Sequence, residues 1–124
     1  MNLIDEANIK YIVDHYGASV QREVLVEECA ELIQAVQKLK RAELHDAEKL
    51  GKVTAAFVEE LADVTIMVEQ MKQTLTPALL NDYNKTITAK LDRQMTRILQ
   101  EKSKQNNVKQ YGYDDHTVSG LLEE

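Results

Sequence analysis

The sequence predicts an all-α fold, a four-helix bundle, on three observations. The 124-residue chain has only four Gly and one Pro to interrupt a helix, its aromatic and β-branched runs are short, and its apolar residues recur every three or four positions. That spacing matches the 3.6-residue period of a helix and not the two-residue period of a strand.

The first helix is expected over residues 3–16, with Ile4, Ile9, Ile12 and Tyr16 turned inward and Gly17 as its stop signal. A second, long helix over residues 19–42 carries Leu25, Cys29, Leu32, Val36 and Leu39. The polar stretch 43–52, which closes on Leu50, Gly51 and Lys52, reads as a connection. A third helix covers residues 53–75. Thr76 and Pro77 suit the start of a fourth, since Thr can cap free amides and Pro at the first helical position gives up no needed hydrogen bond. Leu80, Tyr83, Ile87, Leu91, Met95 and Ile98 continue it as one apolar stripe. From Ser103 the periodicity fades, so the expected organisation is one domain over residues 1–102 and a polar tail over 103–124.

Composition narrows the function. A net charge of −6 argues against nucleic acid or an anionic membrane as partner, because both need a basic surface. No apolar run approaches the roughly 20 residues that span a bilayer. The acidic start, MNLIDEANIK, has no basic segment followed by an apolar block, so no signal or transit peptide is expected and the location expected is cytoplasmic. The single Cys29 lies in an apolar stretch and reads as a small buried thiol. His15, His45 and His116 are scattered and form no ExxH pair of the di-iron kind. Gly-rich phosphate loops and nucleophile signatures are also absent.

The informative feature is a set of carboxylates inside apolar runs, where burial is unfavourable unless something compensates. In VEECAELIQAVQKL, a rotation of 100° per residue puts Glu28 within the edge of the apolar arc, Glu31 just outside it and Glu27 well away. In AAFVEELADVTIMVEQM, Glu60 lies between Val53, Met67 and Met71, Asp63 sits at the margin and Glu59 faces outward. Each helix thus carries an acidic pair at i and i+3 on the boundary of its buried face, a spacing that sets Cβ atoms about 5–6 Å apart. One such pair is what a solvated helix edge gives. Two with the same placement imply that four carboxylates converge when the helices pack, and protons or cations must then offset their repulsion. An all-oxygen ligand set suits Mg²⁺, with Mn²⁺ also acceptable.

The motif Glu27-Glu28-x-x-Glu31 followed by Glu60-x-x-Asp63 resembles the EExxE…ExxD signature of the all-α NTP pyrophosphohydrolases, the superfamily of MazG, the dimeric dUTPases and phosphoribosyl-ATP pyrophosphatase. The wording "EECAEL" and "EELADV" is also close to family variants, and 28 residues separate the two motifs. The resemblance implies a MazG-like helical bundle completed as a homodimer or homotetramer, a Mg²⁺ site, and cleavage of a nucleoside triphosphate to monophosphate and pyrophosphate. It implies Glu28, Glu31, Glu60 and Asp63 as metal ligands, with Glu28 or Glu31 as the base that orients water. Gln21 matches a Gln frequent before the first motif and is carried over as a substrate contact. Lys90 and Arg93 resemble the family's basic residues after the second motif and would hold phosphate oxygens. The chain departs from the pattern at Met67, where relatives often have Tyr, and at Val24, where a Lys is common. A different class of function also fits long amphipathic helices: a non-catalytic adaptor or regulatory module that uses them only for association.

Overall fold

The computed structural model describes residues 4–108, and every regular element among them is helical. Helix α1 is Glu6–Tyr16, α2 is Ala18–His45, a short 3₁₀ turn spans Ala47–Lys49, α3 is Leu50–Gln73 and α4 is Pro77–Asn107. The chain divides into two units at Thr76, one holding α1 to α3 and the other α4.

Local chemistry sets the ends. Asp5 caps α1 by accepting hydrogen bonds from the amides of Ala7 at 3.0 Å and Asn8 at 3.3 Å. Gly17 closes α1 and opens α2 with φ 93° and ψ 145°, a backbone region essentially reserved for Gly. Its N–H donates to the Val13 carbonyl at 2.8 Å, while its own carbonyl accepts from Gln21 N–H at 3.1 Å.

The expected boundaries shift at several helix ends. Helix α1, expected from residue 3, begins at Glu6 behind its Asp5 cap. Glu43 to His45 continue α2, and Leu50 to Lys52 already belong to α3, which leaves a tighter connection than the polar composition suggested. Helix α3 ends at Gln73 rather than Leu75, where Thr74 folds its hydroxyl onto the Met71 carbonyl at 2.6 Å. Helix α4 starts at Pro77 as expected but runs five residues beyond Lys102, through a segment with no Gly or Pro to break it. The rest of the expected tail, residues 109–124, lies outside the described residues.

Within the first unit, α2 and α3 form an antiparallel pair and α1 lies mainly against α3. The buried apolar residues are few: Ile9 and Val13 of α1, Ala35 and Ala42 of α2, and Met67 of α3. Tyr16, expected inward, is 58% exposed, so Val13 takes the inner position one turn earlier. The seam of α2 reads Gln21, Glu28, Ala35, Ala42, a seven-residue spacing that keeps one face against α3. Two alanines in that seam let the helix axes come close. Gln21 and Gln70, both buried, close it at one end, with the Gln21 Nε2 donating to the Gln70 Oε1 at 2.7 Å.

In the second unit α4 has no buried residue, and Ile87, Leu91, Met95 and Ile98 of its apolar stripe are all exposed. No helix among the described residues is long and apolar enough to cross a membrane.

The joint between α1 and α2 depends on a conformation that side chains with a Cβ resist. Nothing lies within 4 Å of a Cβ added at Gly17, so the effect of Gly17→Ala is backbone strain alone. The substitution is expected to lower unfolding free energy by about 1–3 kcal/mol in urea denaturation. An unchanged midpoint would contradict this account of the joint.

Candidate metal centre

The register of α2 on α3 builds the site. Starting from the Gln21–Gln70 hydrogen bond, seven residues along α2 lead to Glu28 and seven back along α3 lead to Asp63. Glu60 stands one turn before Asp63 on the same side of α3. The three carboxylates each place an oxygen so that all three lie within 4.8 Å of one another. Two helices that are separate in sequence thus bring three acidic groups to one point, as the paired motifs predicted for these positions.

The site is short of positive partners. Glu28 Oε2 and Glu60 Oε2 are shielded from solvent and have no hydrogen-bond partner. Both residues are only half-buried as wholes, so the shielding is local to one oxygen of each. The Glu28 carboxyl is held above its ordinary range first by desolvation and then by the charges of Asp63, Glu31 and Glu60. Glu60 is raised first by desolvation and then by the charges of Glu31, Asp63 and Glu59. Shielded acceptor oxygens that lack donors, in a group with like charges, fit a hard divalent cation bound through oxygen.

The remaining expected site residues have other positions. Glu31 is exposed and does not belong to the converging group, although its charge reaches both Glu28 and Glu60. Glu27 and Glu59 are exposed, as their angular positions predict. Gln21 is buried and its amide is engaged by Gln70, which gives it a part in the seam between α2 and α3. Lys90 and Arg93 are exposed on α4. Cys29, next to Glu28, is a half-buried free thiol.

Sequence reasoning did not identify Gln70. Its signal was available: Gln70 follows Asp63 by seven residues, as Gln21 precedes Glu28 by seven, so a polar pair one layer from the acidic layer is implied once the helices are taken as antiparallel.

The raised carboxyls set a pH dependence. A carboxyl that binds its proton more tightly in the folded chain favours folding at low pH, and that contribution is lost as pH rises from 4.5, the ordinary value, through the raised folded value. Metal-free protein is therefore expected to lose thermal stability across this range, and Glu28→Gln to melt higher than the wild type at pH 7 in EDTA. With excess Mg²⁺ the wild type should rise in melting temperature and the variant should rise less. A variant that melts lower than the wild type in EDTA would contradict the reading of Glu28 as an uncompensated charge.

Comparison of the chain with protein-family models, curated proteins and solved structures finds no match.

Proposed function

We propose that the protein is a Mg²⁺-dependent nucleoside triphosphate pyrophosphohydrolase, a housecleaning enzyme that cleaves NTP or dNTP to monophosphate and pyrophosphate. The observation that carries this reading is the meeting of Glu28, Glu60 and Asp63 oxygens within 4.8 Å, in a group where Glu28 and Glu60 each have one shielded, unpartnered oxygen. The resemblance of the two acidic motifs to EExxE…ExxD supplies the reaction class. On this reading the helices form a MazG-like bundle completed by a second or further copies of the chain, and Mn²⁺ can replace Mg²⁺.

Glu28, Glu60 and Asp63 would hold the ion. Once bound, a divalent ion neutralises phosphate charge and acidifies a coordinated water. Glu31 is the better placed of the two candidate bases: it is exposed and near the acidic group in charge, while Glu28 is committed to the group itself. An exposed carboxylate beside the site can accept the proton of an attacking water and release it to solvent. Lys90 and Arg93 are proposed as phosphate contacts, with Arg93 able to bind two oxygens at once. Gln21 is left to its structural role with Gln70.

A second reading, the non-catalytic adaptor, is favoured by the exposed stripe of α4. Calorimetric titration with Mg²⁺ and a nonhydrolysable nucleotide separates the two, because an adaptor shows no metal-dependent nucleotide binding.

Incubation with a panel of NTPs and dNTPs plus Mg²⁺ is expected to release pyrophosphate from at least one of them. Glu60→Gln removes a ligand and should lower that activity by more than about 100-fold, the scale of losing one charge-stabilising group in an active site. Its fold should persist, since the substitution also removes a repulsive charge. Equal activity in wild type and variant would refute the assigned centre.

A further inference from the structure

Helix α4 is the basic part of an acidic chain: residues 77–107 hold six Lys and Arg against three Asp and Glu, whereas residues 1–76 hold eight against fourteen. A turn of 100° per residue gathers Leu80, Ile87, Leu91, Met95 and Ile98 on one arc of α4. Lys90, Arg97 and Lys104, seven residues apart, form a row along one edge of that arc, with Arg93 beside them. The stripe ends at Ile98, ahead of Glu101 and Lys102. No residue of α4 is buried, and Ile87, Leu91, Met95 and Ile98 are exposed.

Helix α2 has a matching feature on the side turned away from its seam with α3. Val26, Ile33 and Leu44 fall within about 20° of one another, opposite Glu28 and Ala35 on the wheel. They are 69%, 62% and 74% exposed. Glu23 and Glu27 stand along one side of this stripe, and Glu31 continues their row toward the acidic centre, all three exposed. Arg22 and Lys40 stand along the other side. The two stripes, Val26 to Leu44 and Leu80 to Ile98, have the same length, about 27 Å along a helix. None of the charged residues on the acidic edge of α2 or in the basic row of α4 makes an ion pair with another described residue. Single exposed apolar residues and charged helix edges are ordinary surface. Two stripes of one length whose edges carry opposite charge are complementary.

We propose that α4 of one copy packs along the outward face of α2 in a second copy, with its basic row set against the edge of Glu23, Glu27 and Glu31. A two-fold axis makes the contact reciprocal, so each copy gives one α4 and receives another, and neither stripe stays open. Charge fixes which way round the helices meet, because Arg22 and Lys40 on the other edge of α2 would repel the same row. Glu31 ends the acidic edge beside the metal centre, so the basic row of the second copy reaches the margin of that centre. The proposal rests on the assembly of copies and on neither metal binding nor hydrolysis, and its test needs neither.

The test is light scattering of the full chain in EDTA over a concentration series, with helix content followed by circular dichroism. The wild type is expected to form a dimer whose dissociation constant rises with salt. Glu23→Lys with Glu27→Lys reverses the α2 edge, and Arg97→Glu with Lys104→Glu reverses the α4 row. Each of these double variants alone should raise the dissociation constant about tenfold or more, since like charges then face each other. An equal mixture of the two should restore dimers, because one contact is then wild type on both sides and the other is reversed on both. Ile33→Asp, on the apolar stripe of α2, should also weaken the dimer with helix content unchanged. A monomeric wild type would overturn the proposal, whether α4 folds back on its own chain or meets a different partner. A dimer indifferent to the α2 variants would overturn it in favour of α4 pairing with α4, and a mixture no tighter than its components would overturn it as well.

Discussion

Three carboxylates held with oxygens within 4.8 Å of one another repel, and the fold tolerates this only because the pairing of α2 with α3 is fixed by groups on either side of them. On one side the buried Gln21–Gln70 hydrogen bond sets the register, since a slip by one residue would leave two amides buried without partners. On the other side Ala35 and Ala42 allow a close approach that larger side chains would prevent. The acidic layer is therefore imposed by its neighbours and is not itself a source of stability. On the proposed reading, a bound cation would turn the same layer from a repulsive element into a link between the two helices.

This arrangement also explains why so little of the chain is deeply buried. A seam built from Gln, Glu and Ala gives up the apolar area that Leu or Ile would bury, and the first unit keeps only five buried apolar residues among those described. Large apolar side chains are left outside instead, among them Val26 and Ile33 on α2, Val58 on α3 and the stripe of α4.

Much of this was legible in the sequence, and the part that was not has a physical reason. Apolar spacing predicts the helices, and the angular positions of Glu28, Glu60 and Asp63 predict that they share a site, because a helix turns by a constant angle and carries its side chains with it. Glu31 marks the limit of that reasoning: it lies just outside the apolar arc, and whether such a residue enters a site depends on the distance between helices, which periodicity does not give. Tyr16 failed for a related reason, since Val13 fills the inner position and a polar ring edge is stable in water. Gln21 shows the largest difference in role. A Gln near an acidic motif suggests a substrate contact, but its antiparallel partner Gln70 becomes visible only when two helices are laid side by side. The polar stretch 43–52 reads as a connection by composition, yet Glu43 to His45 and Leu50 to Lys52 are helical, because a polar segment without Pro can still extend a helix.

The central claim is that α2 and α3 share one divalent ion. A crystal structure of the protein grown with Mn²⁺ and phased at the manganese edge tests it most directly. The account predicts an anomalous peak bonded to oxygens of Glu28, Glu60 and Asp63, with the Gln21–Gln70 hydrogen bond in place beside it. A manganese-loaded crystal with no peak there, and with the three carboxylates turned apart into solvent, would contradict it.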